Sequence, residues 1–203
     1  MRNSDLKRRI IEISYPRKLS HLGSCLTMVD ILEGVYSTKD ANDLCILSAG
    51  HAGLALYVVL EKHFGYNAEY LFNTHGVHPN RDPEHGILCS SGSLGHCVGI
   101  SVGFAIANPD THVHCFTTDG EMAEGVVDEA LRYVNRKSLK NFTLHINYNG
   151  FSAYQESSYP LVVGVDHHIY NTKPELGFLH GLDAHYHVMN EQDYKEAMEI
   201  YES

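Results

Sequence analysis

Short apolar runs alternate along this chain with segments of helical periodicity. Residues 5–14 place Leu6, Ile10, Ile11 and Ile13 on or near one face, which predicts a helix. A second helix is predicted from about Thr27 to Tyr36, with Thr27 as its cap and Asp30 at the capping-box position. Leu44–Ser48 reads as a short apolar strand; Gly50 breaks it, and His51–His63 reads as a helix. Ile87–Ser90 is a further strand candidate. Gly92–Gly95 turns the chain into an apolar helix, Val98–Ala107, whose Gly99, Ser101, Gly103, Ala105 and Ala107 suit close packing on a sheet. Val113–Thr118 is a strand, Glu124–Arg136 a helix, Phe142–Asn147 a strand, and Glu191–Tyr201 an amphipathic helix. No internal repeat or low-complexity segment interrupts this alternation.

Short apolar strands separated by helices predict an α/β fold, a doubly wound parallel sheet with helices on both faces. Such sheets bind ligands at the carboxyl ends of their strands. The polar residues of interest fall there, after Ser48, Ser90, Thr118 and Ile146. A length of 203 residues suits a single domain spanning 1–203.

Composition narrows the classes. The formal net charge of -10 argues against a general affinity for nucleic acid. No apolar run approaches the roughly 20 residues of a membrane span. The basic and then amphipathic start, MRNSDLKRRIIEIS, has no apolar signal core, so a cytoplasmic location is expected. The cysteines at 25, 45, 89, 97 and 115 are odd in number and show no CxxC spacing, which argues against a disulfide framework or zinc knuckle. Their apolar surroundings predict small core residues. The 15 histidines are many, but they are spread along the chain.

Asp119-Gly120 follows one predicted strand, and Asn149-Gly150 follows the next with a helix between. Adjacent parallel strands would bring Asp119 and Asn149 side by side. A hard cation such as Mg²⁺ takes oxygen ligands at about 2.0–2.1 Å and shares them with phosphates. Gly120 and Gly150 would let the backbone approach such a ligand. Either dipeptide alone is an ordinary turn; the pair at two strand ends points to a diphosphate and metal site.

This spacing resembles the thiamine-diphosphate motif, and neighbouring segments narrow the resemblance to the transketolase family. Ser20-His21-Leu22-Gly23-Ser24-Cys25-Leu26-Thr27 is similar to that family's HxGSSLS stretch, and Ser48-Ala49-Gly50-His51-Ala52 to its SKGHA. Val77-His78-Pro79 resembles its GHP, and Ser91-Gly92-Ser93-Leu94-Gly95 its TGSLG. Asp119-Gly120-Glu121, Glu124-Gly125 and Glu129-Ala130 resemble its GDGE, EG and WEA. The similarity runs in order from about residue 20 to 155.

The resemblance implies the thiamine-diphosphate-binding fold, with Asp119, Asn149 and the main-chain oxygen of Phe151 holding Mg²⁺. It implies that Gly120 and Glu121 lie beside the diphosphate, and that Gly92, Ser93 and Leu94 touch the cofactor through backbone groups. His21, His51 and His78 match histidines that line the substrate channel, bind sugar hydroxyls and move protons; imidazole suits this near neutral pH. Glu124 matches a glutamate that couples paired cofactor sites across a dimer interface. A further channel histidine would be His185 or His187. The chain departs from the family pattern at Thr118, Ala49, His96, Asp128 and Thr172-Lys173-Pro174, none of them an implied metal ligand.

The implied activity is transfer of a two-carbon ketol unit from a ketose, such as a ketose phosphate, to an aldose acceptor. The sequence offers no second parallel α/β unit. The resemblance therefore implies a split enzyme, active only with a second polypeptide carrying the pyrimidine-binding and C-terminal domains, and self-associating through the dimer interface. Two rivals stand beside this reading: the alpha subunit of a 2-oxoacid dehydrogenase, and a non-catalytic regulatory subunit that keeps the fold. The histidine set and GSLG favour the transketolase reading over the first. Intact Asp119, Asn149 and Glu124 oppose the second.

Overall fold

The computed structural model describes residues 3–152 and 155–202. In chain order the elements are α1 (Asn3–Arg17), α2 (Leu22–Tyr36), β1 (Leu44–Leu47), α3 (Gly53–Phe64), α4 (Ala68–His75), α5 (His96–Ala107), β2 (Val113–Thr118), α6 (Gly125–Lys137), β3 (Phe142–Tyr148), β4 (Asp166–Asn171) and α7 (Glu191–Tyr201). The chain divides into two compact units. A helical unit takes Met1–Ser37, His51–Val77 and Lys173–Ser203; a sheet unit takes Thr38–Gly50 and His78–Thr172.

The sheet unit has four parallel strands in the order β1-β2-β3-β4, which is the parallel α/β class the alternation predicts. The apolar face carries Ile46, Val113, Cys115, Phe142, Leu144 and Ile146, packed with α5 and α6 into one buried core. The reason is legible in α6, where Val127, Ala130, Leu131 and Val134 recur at helical spacing and are the helix's buried residues. In α5 the small residues divide. Ser101 and Ala105 are buried, whereas Gly103 and Ala107 are exposed, so the glycines there are not what seats the helix on the sheet.

The other sheet face is polar and rich in histidine. Period-2 alternation puts His114 and Phe116 of β2, Thr143 and His145 of β3, and His168 and Tyr170 of β4 on it. The histidines bond to one another and to the strands around them. His114 Nδ1 lies 3.0 Å from His145 Nε2, and His145 Nδ1 lies 3.1 Å from the Tyr170 hydroxyl. The His145 ring stacks on Phe116 at 4.9 Å between centroids. This strand face explains why β4 escapes a hydrophobicity reading: DHHIYN has no apolar alternation.

In the helical unit, α1 buries Leu6, Ile10, Ile11 and Ile13 as expected. Lys7 is buried with them but bonds to Asp30 at 2.8 Å and Glu175 at 2.9 Å, which offsets the cost of burying its charge. Helix α2 begins at Leu22, five residues before the expected start. Thr27 is no cap: its hydroxyl donates back to the carbonyl of Gly23 at 2.9 Å, and Asp30 pairs with Lys7 instead of closing a capping box. The capping box lies at α7, where Asn190 and Asp193 satisfy each other's backbone amides. Two other boundaries differ from the sequence reading. Ile87–Ser90 forms no strand, only an isolated bridge between Ile87 and Asp82, and the short helix α4 carries no strong sequence signal. All five cysteines are buried free thiols, as their surroundings predict. Among the described residues no helix is long and apolar enough to cross a membrane.

The histidine face makes stability depend on pH. Burial first, then the neighbouring His114 and His168, push His145 down to about 3; Asp166 acts the other way and His112 adds to the lowering. Burial, then His112, also lowers His114, against Asp43. An unfolded histidine takes its proton near pH 6.5. Below that value the unfolded chain binds protons that the folded chain refuses, so stability is complete above about pH 6.5 and declines as pH falls toward 3. Chemical denaturation between pH 7 and pH 4 should show this slope, and His145→Leu should flatten it; an unchanged slope would dissociate the acid sensitivity from this residue.

Candidate functional site

The carboxyl ends of β1 and β2 are joined by one buried side chain. Glu121 follows β2 and has no exposed surface. Its Oε1 accepts from the Ser48 hydroxyl at 2.8 Å and the Gly95 amide at 2.9 Å. Its Oε2 accepts from the Thr117 hydroxyl at 2.8 Å and the Thr118 amide at 3.2 Å. Burial raises its pKa, and the same four donors oppose the rise. The carboxylate is thus occupied inside the protein, holding the end of β1, the loop before α5 and the end of β2 together. Thr118, which stands where the family motif has glycine, joins this arrangement: its hydroxyl accepts from the Glu121 amide at 3.4 Å.

The loop Ser91–Gly95 follows from these contacts. Gly95 takes φ 72°, and a Cβ there would lie 2.6 Å from Val127 Cγ2, so both backbone and space require glycine. Gly50 is needed for close approach, since a Cβ there would lie 2.7 Å from the Gly92 amide nitrogen. Gly92, Ser93 and Leu94 are exposed, and the Ser93 carbonyl accepts from the His96 amide at 3.2 Å. The His78 ring covers Gly92, its Cγ 3.3 Å from where a Cβ of that glycine would sit.

Beside Glu121, the strand ends of β2 and β3 come together as the parallel pairing requires. Thr118 pairs with Asn147, and the Asp119 amide donates to the Asn147 carbonyl at 3.1 Å. Asp119 is 2 % exposed. Its Oδ2 accepts from the Gly150 amide at 2.9 Å and from the Ser157 hydroxyl. Its Oδ1 is buried with no hydrogen-bond partner among the described residues. Burial raises the Asp119 pKa, against the lowering effect of Ser157, of the Gly150 amide and of the backbone of Asp119 and Gly120. Asn149 Oδ1 accepts from the Phe151 amide at 2.9 Å and keeps a second lone pair. Among the described residues no three His, Cys, Asp or Glu side chains are grouped to hold a metal. The expected set contains only one such side chain, with an amide oxygen and a main-chain oxygen completing the protein's share. An orphaned carboxylate oxygen in a desolvated position fits a hard cation, which would supply the missing partner and favour the ionised form.

The remaining candidates fall in both units. His78 and Glu124 belong to the sheet unit; Glu124 is half-buried just before α6 and does not cap it through its side chain. His21 and His51 belong to the helical unit. His21 adopts φ 62°, uncommon for a residue with a Cβ. Its ring packs edge-on against His185 at 4.4 Å, against Tyr186 at 5.6 Å, and near His51 at 5.9 Å. His185 also lies 6.0 Å from His51, and burial lowers its pKa. His187 instead bonds to Asp193 at the start of α7, at 2.8 Å. Of the two alternatives it is therefore His185 that joins the histidine cluster. Sequence reasoning missed Ser48, Thr117 and Ser157 as members of these networks. Their partners are set by the sheet register or by an irregular segment, and no local signal marks them.

No protein-family model matches the chain. One subunit of the apulose-4-phosphate transketolase of Phocaeicola vulgatus is 29 % identical over 164 residues, covering 70 % of this chain and 58 % of that protein. A 1-deoxy-D-xylulose-5-phosphate synthase of Fusobacterium nucleatum is 28 % identical over 159 residues, 74 % of this chain and 25 % of that one. This chain thus spans less than two thirds of either relative. Among solved structures, a transketolase of Pichia stipitis superposes with a TM-score of 0.63 at 21 % identity, over 74 % of this chain and 27 % of that one, a likeness of fold.

Removing the Glu121 carboxylate leaves four donors without an acceptor. Each unsatisfied buried group costs about 1–3 kcal/mol. Glu121→Ala should therefore lower unfolding free energy by at least about 3 kcal/mol in urea titration; a loss below about 1 kcal/mol would show that the strand ends hold without it.

Proposed function

We propose that this chain, a homologue of transketolase subunits, is the thiamine-diphosphate-binding subunit of a split transketolase-like enzyme, with 1–203 acting as one diphosphate- and Mg²⁺-binding domain. The observation that carries the reading is the buried Asp119 Oδ1, without a hydrogen-bond partner among the described residues, at the carboxyl end of β2, with Asn149 following the end of β3. The Phocaeicola relative, named as one subunit of a transketolase, supports the split arrangement.

Asp119, Asn149 and the main-chain oxygen of Phe151 would hold Mg²⁺, and Gly120 with the backbone of Gly92, Ser93 and Leu94 would lie along the diphosphate. Bound thiamine diphosphate supplies an electron sink for cleaving and forming the bond next to a sugar carbonyl. Glu121 acts from beneath, fixing the loop and the strand ends. His21, His51, His78 and His185 are assigned to the sugar, donating and accepting hydrogen bonds at its hydroxyls and moving protons. Glu124 is assigned to a self-association interface. The transfer is of a two-carbon ketol unit from a ketose, such as a ketose phosphate, to an aldose. The similarity to a 1-deoxy-D-xylulose-5-phosphate synthase supports a second reading, in which the same residues serve synthesis of a deoxyketose phosphate.

Asp119→Ala tests the metal assignment. Losing a group that only orients a metal ligand typically weakens metal binding about 10–100-fold, so losing a direct ligand should weaken Mg²⁺-dependent thiamine diphosphate binding by about 100-fold or more. The measurement is calorimetric titration of the complex with its companion chain; equal affinities for wild type and variant would sink the assignment.

The requirement for a companion follows from the chemistry. Activating the cofactor takes a carboxylate at its pyrimidine end, and the acidic residues near this site are committed: Asp119 to the metal, Glu121 to four internal donors. The chain alone should show no ketol transfer between a ketose phosphate and an aldose phosphate, and activity should appear on adding the polypeptide with the pyrimidine-binding domain. Robust turnover by the chain alone would refute the split-enzyme reading.

A further inference from the structure

The sheet unit holds a cysteine pair that the proposed chemistry leaves unused. Cys89 precedes the Ser91–Gly95 loop and Cys97 lies in the first turn of α5, so the two bracket that loop. Their Sγ atoms are 2.6 Å apart. This is shorter than the roughly 3.5–4.0 Å of ordinary carbon contacts and not far above the about 2.05 Å of a disulfide bond. Both Sγ atoms also lie within hydrogen-bond distance of the Ser90 carbonyl, at 3.3 and 3.2 Å, so the intervening backbone holds the sulfurs together before any bond forms. Cys89 is 6 % exposed and Cys97 is fully buried, which makes Cys89 the member that a small oxidant reaches first. The hydrogen bond from Cys97 lowers the Cys89 pKa, and the same bond, with burial, raises that of Cys97. The thiolate is the reactive form. Cys115, in the same core, is pushed up to about 12 by burial.

We propose that Cys89 and Cys97 form a dithiol that a hydroperoxide closes to an intramolecular disulfide, pinning the Ser90–His96 loop at both ends. The Cys89 thiolate attacks one peroxide oxygen; the S–O bond forms, the O–O bond breaks, and the leaving oxygen takes a proton. The Cys97 sulfur then attacks the Cys89 sulfur. The S–S bond forms, the S–O bond breaks, and the departing oxygen leaves as water with the Cys97 proton. Two thiols lose two electrons in all, and one molecule of hydrogen peroxide becomes two of water. The pair stands on its own geometry. Only its consequence for a cofactor rests on the proposed function, through Gly92, Ser93 and Leu94 in the pinned loop.

The test is to treat the native chain with hydrogen peroxide, alkylate the remaining thiols after denaturation, and map peptides without reduction. Most of the Cys89 should appear linked to Cys97, with the mass of two hydrogens lost, while Cys25, Cys45 and Cys115 are alkylated. Dithiothreitol should restore both thiols. Cys89→Ser or Cys97→Ser should abolish the link and Cys115→Ser should leave it; if a serine variant does not fold, the wild-type map decides alone. Recovery of Cys89 and Cys97 as alkylated thiols, their passage to sulfinic acid without a link, or a bond to Cys115 would each overturn the proposal. Because the readout is a covalent link, it is independent of whether the chain binds thiamine diphosphate.

Discussion

A carboxylate with no exposed surface is costly, and the ends of β1 and β2 are arranged around one. Desolvating an ion costs several kcal/mol, and only well-placed donors offset it. Glu121 has four, two from hydroxyls and two from backbone amides. Hydrogen bonds to charged groups contribute about 1.5–3 kcal/mol each, enough together to make the burial tolerable. The same bonds are directional, so they fix where Ser48, Gly95 and Thr117 sit. The loop before α5 is held by this side chain through the Gly95 amide, while Gly92, Ser93 and Leu94 are exposed.

Asp119, two residues away, shows the opposite condition. It is nearly as buried, yet among the described residues only one of its oxygens has a hydrogen-bond partner. Buried polar atoms are normally paired, and an exception calls for an explanation. Glu121 ties the strand ends together, whereas Asp119 Oδ1 finds no hydrogen-bond partner among the described residues.

The two faces of the sheet divide the unit in a related way. The apolar face packs α5 and α6 and sets the positions of the strand ends. The polar face is a hydrogen-bonded histidine array in which burial holds His145 and His114 below the ordinary histidine range. The cysteine pair sits on the apolar side, where burial shields it except at Cys89. Both features place titratable or oxidisable groups within a short reach of the loop and strands that carry the candidate site.

The sequence by itself determined the parallel α/β class and which polar residues follow the ends of the strands. It could do so because these signals are local: apolar runs such as Val113–Thr118, helical spacing in α6, and Asp-Gly and Asn-Gly turns following strands. The adjacency of Asp119 and Asn149 needed one added rule, that a crossover joins neighbouring parallel strands. Where local signals conflict or are silent, the reading fails. Thr27 carries the pattern of a cap yet lies inside α2, and β4 is a strand of polar residues paired along β3 rather than selected by its own hydrophobicity. Only the tertiary structure decided that Glu121 is a support, that His185 rather than His187 joins the histidine cluster, and that Cys89 and Cys97 meet. These depend on partners as far apart as Ser48 and Glu121, 73 positions in sequence. Side chains that meet across such distances are brought together by sheet register and helix packing, and residue types alone do not specify which donor finds which acceptor.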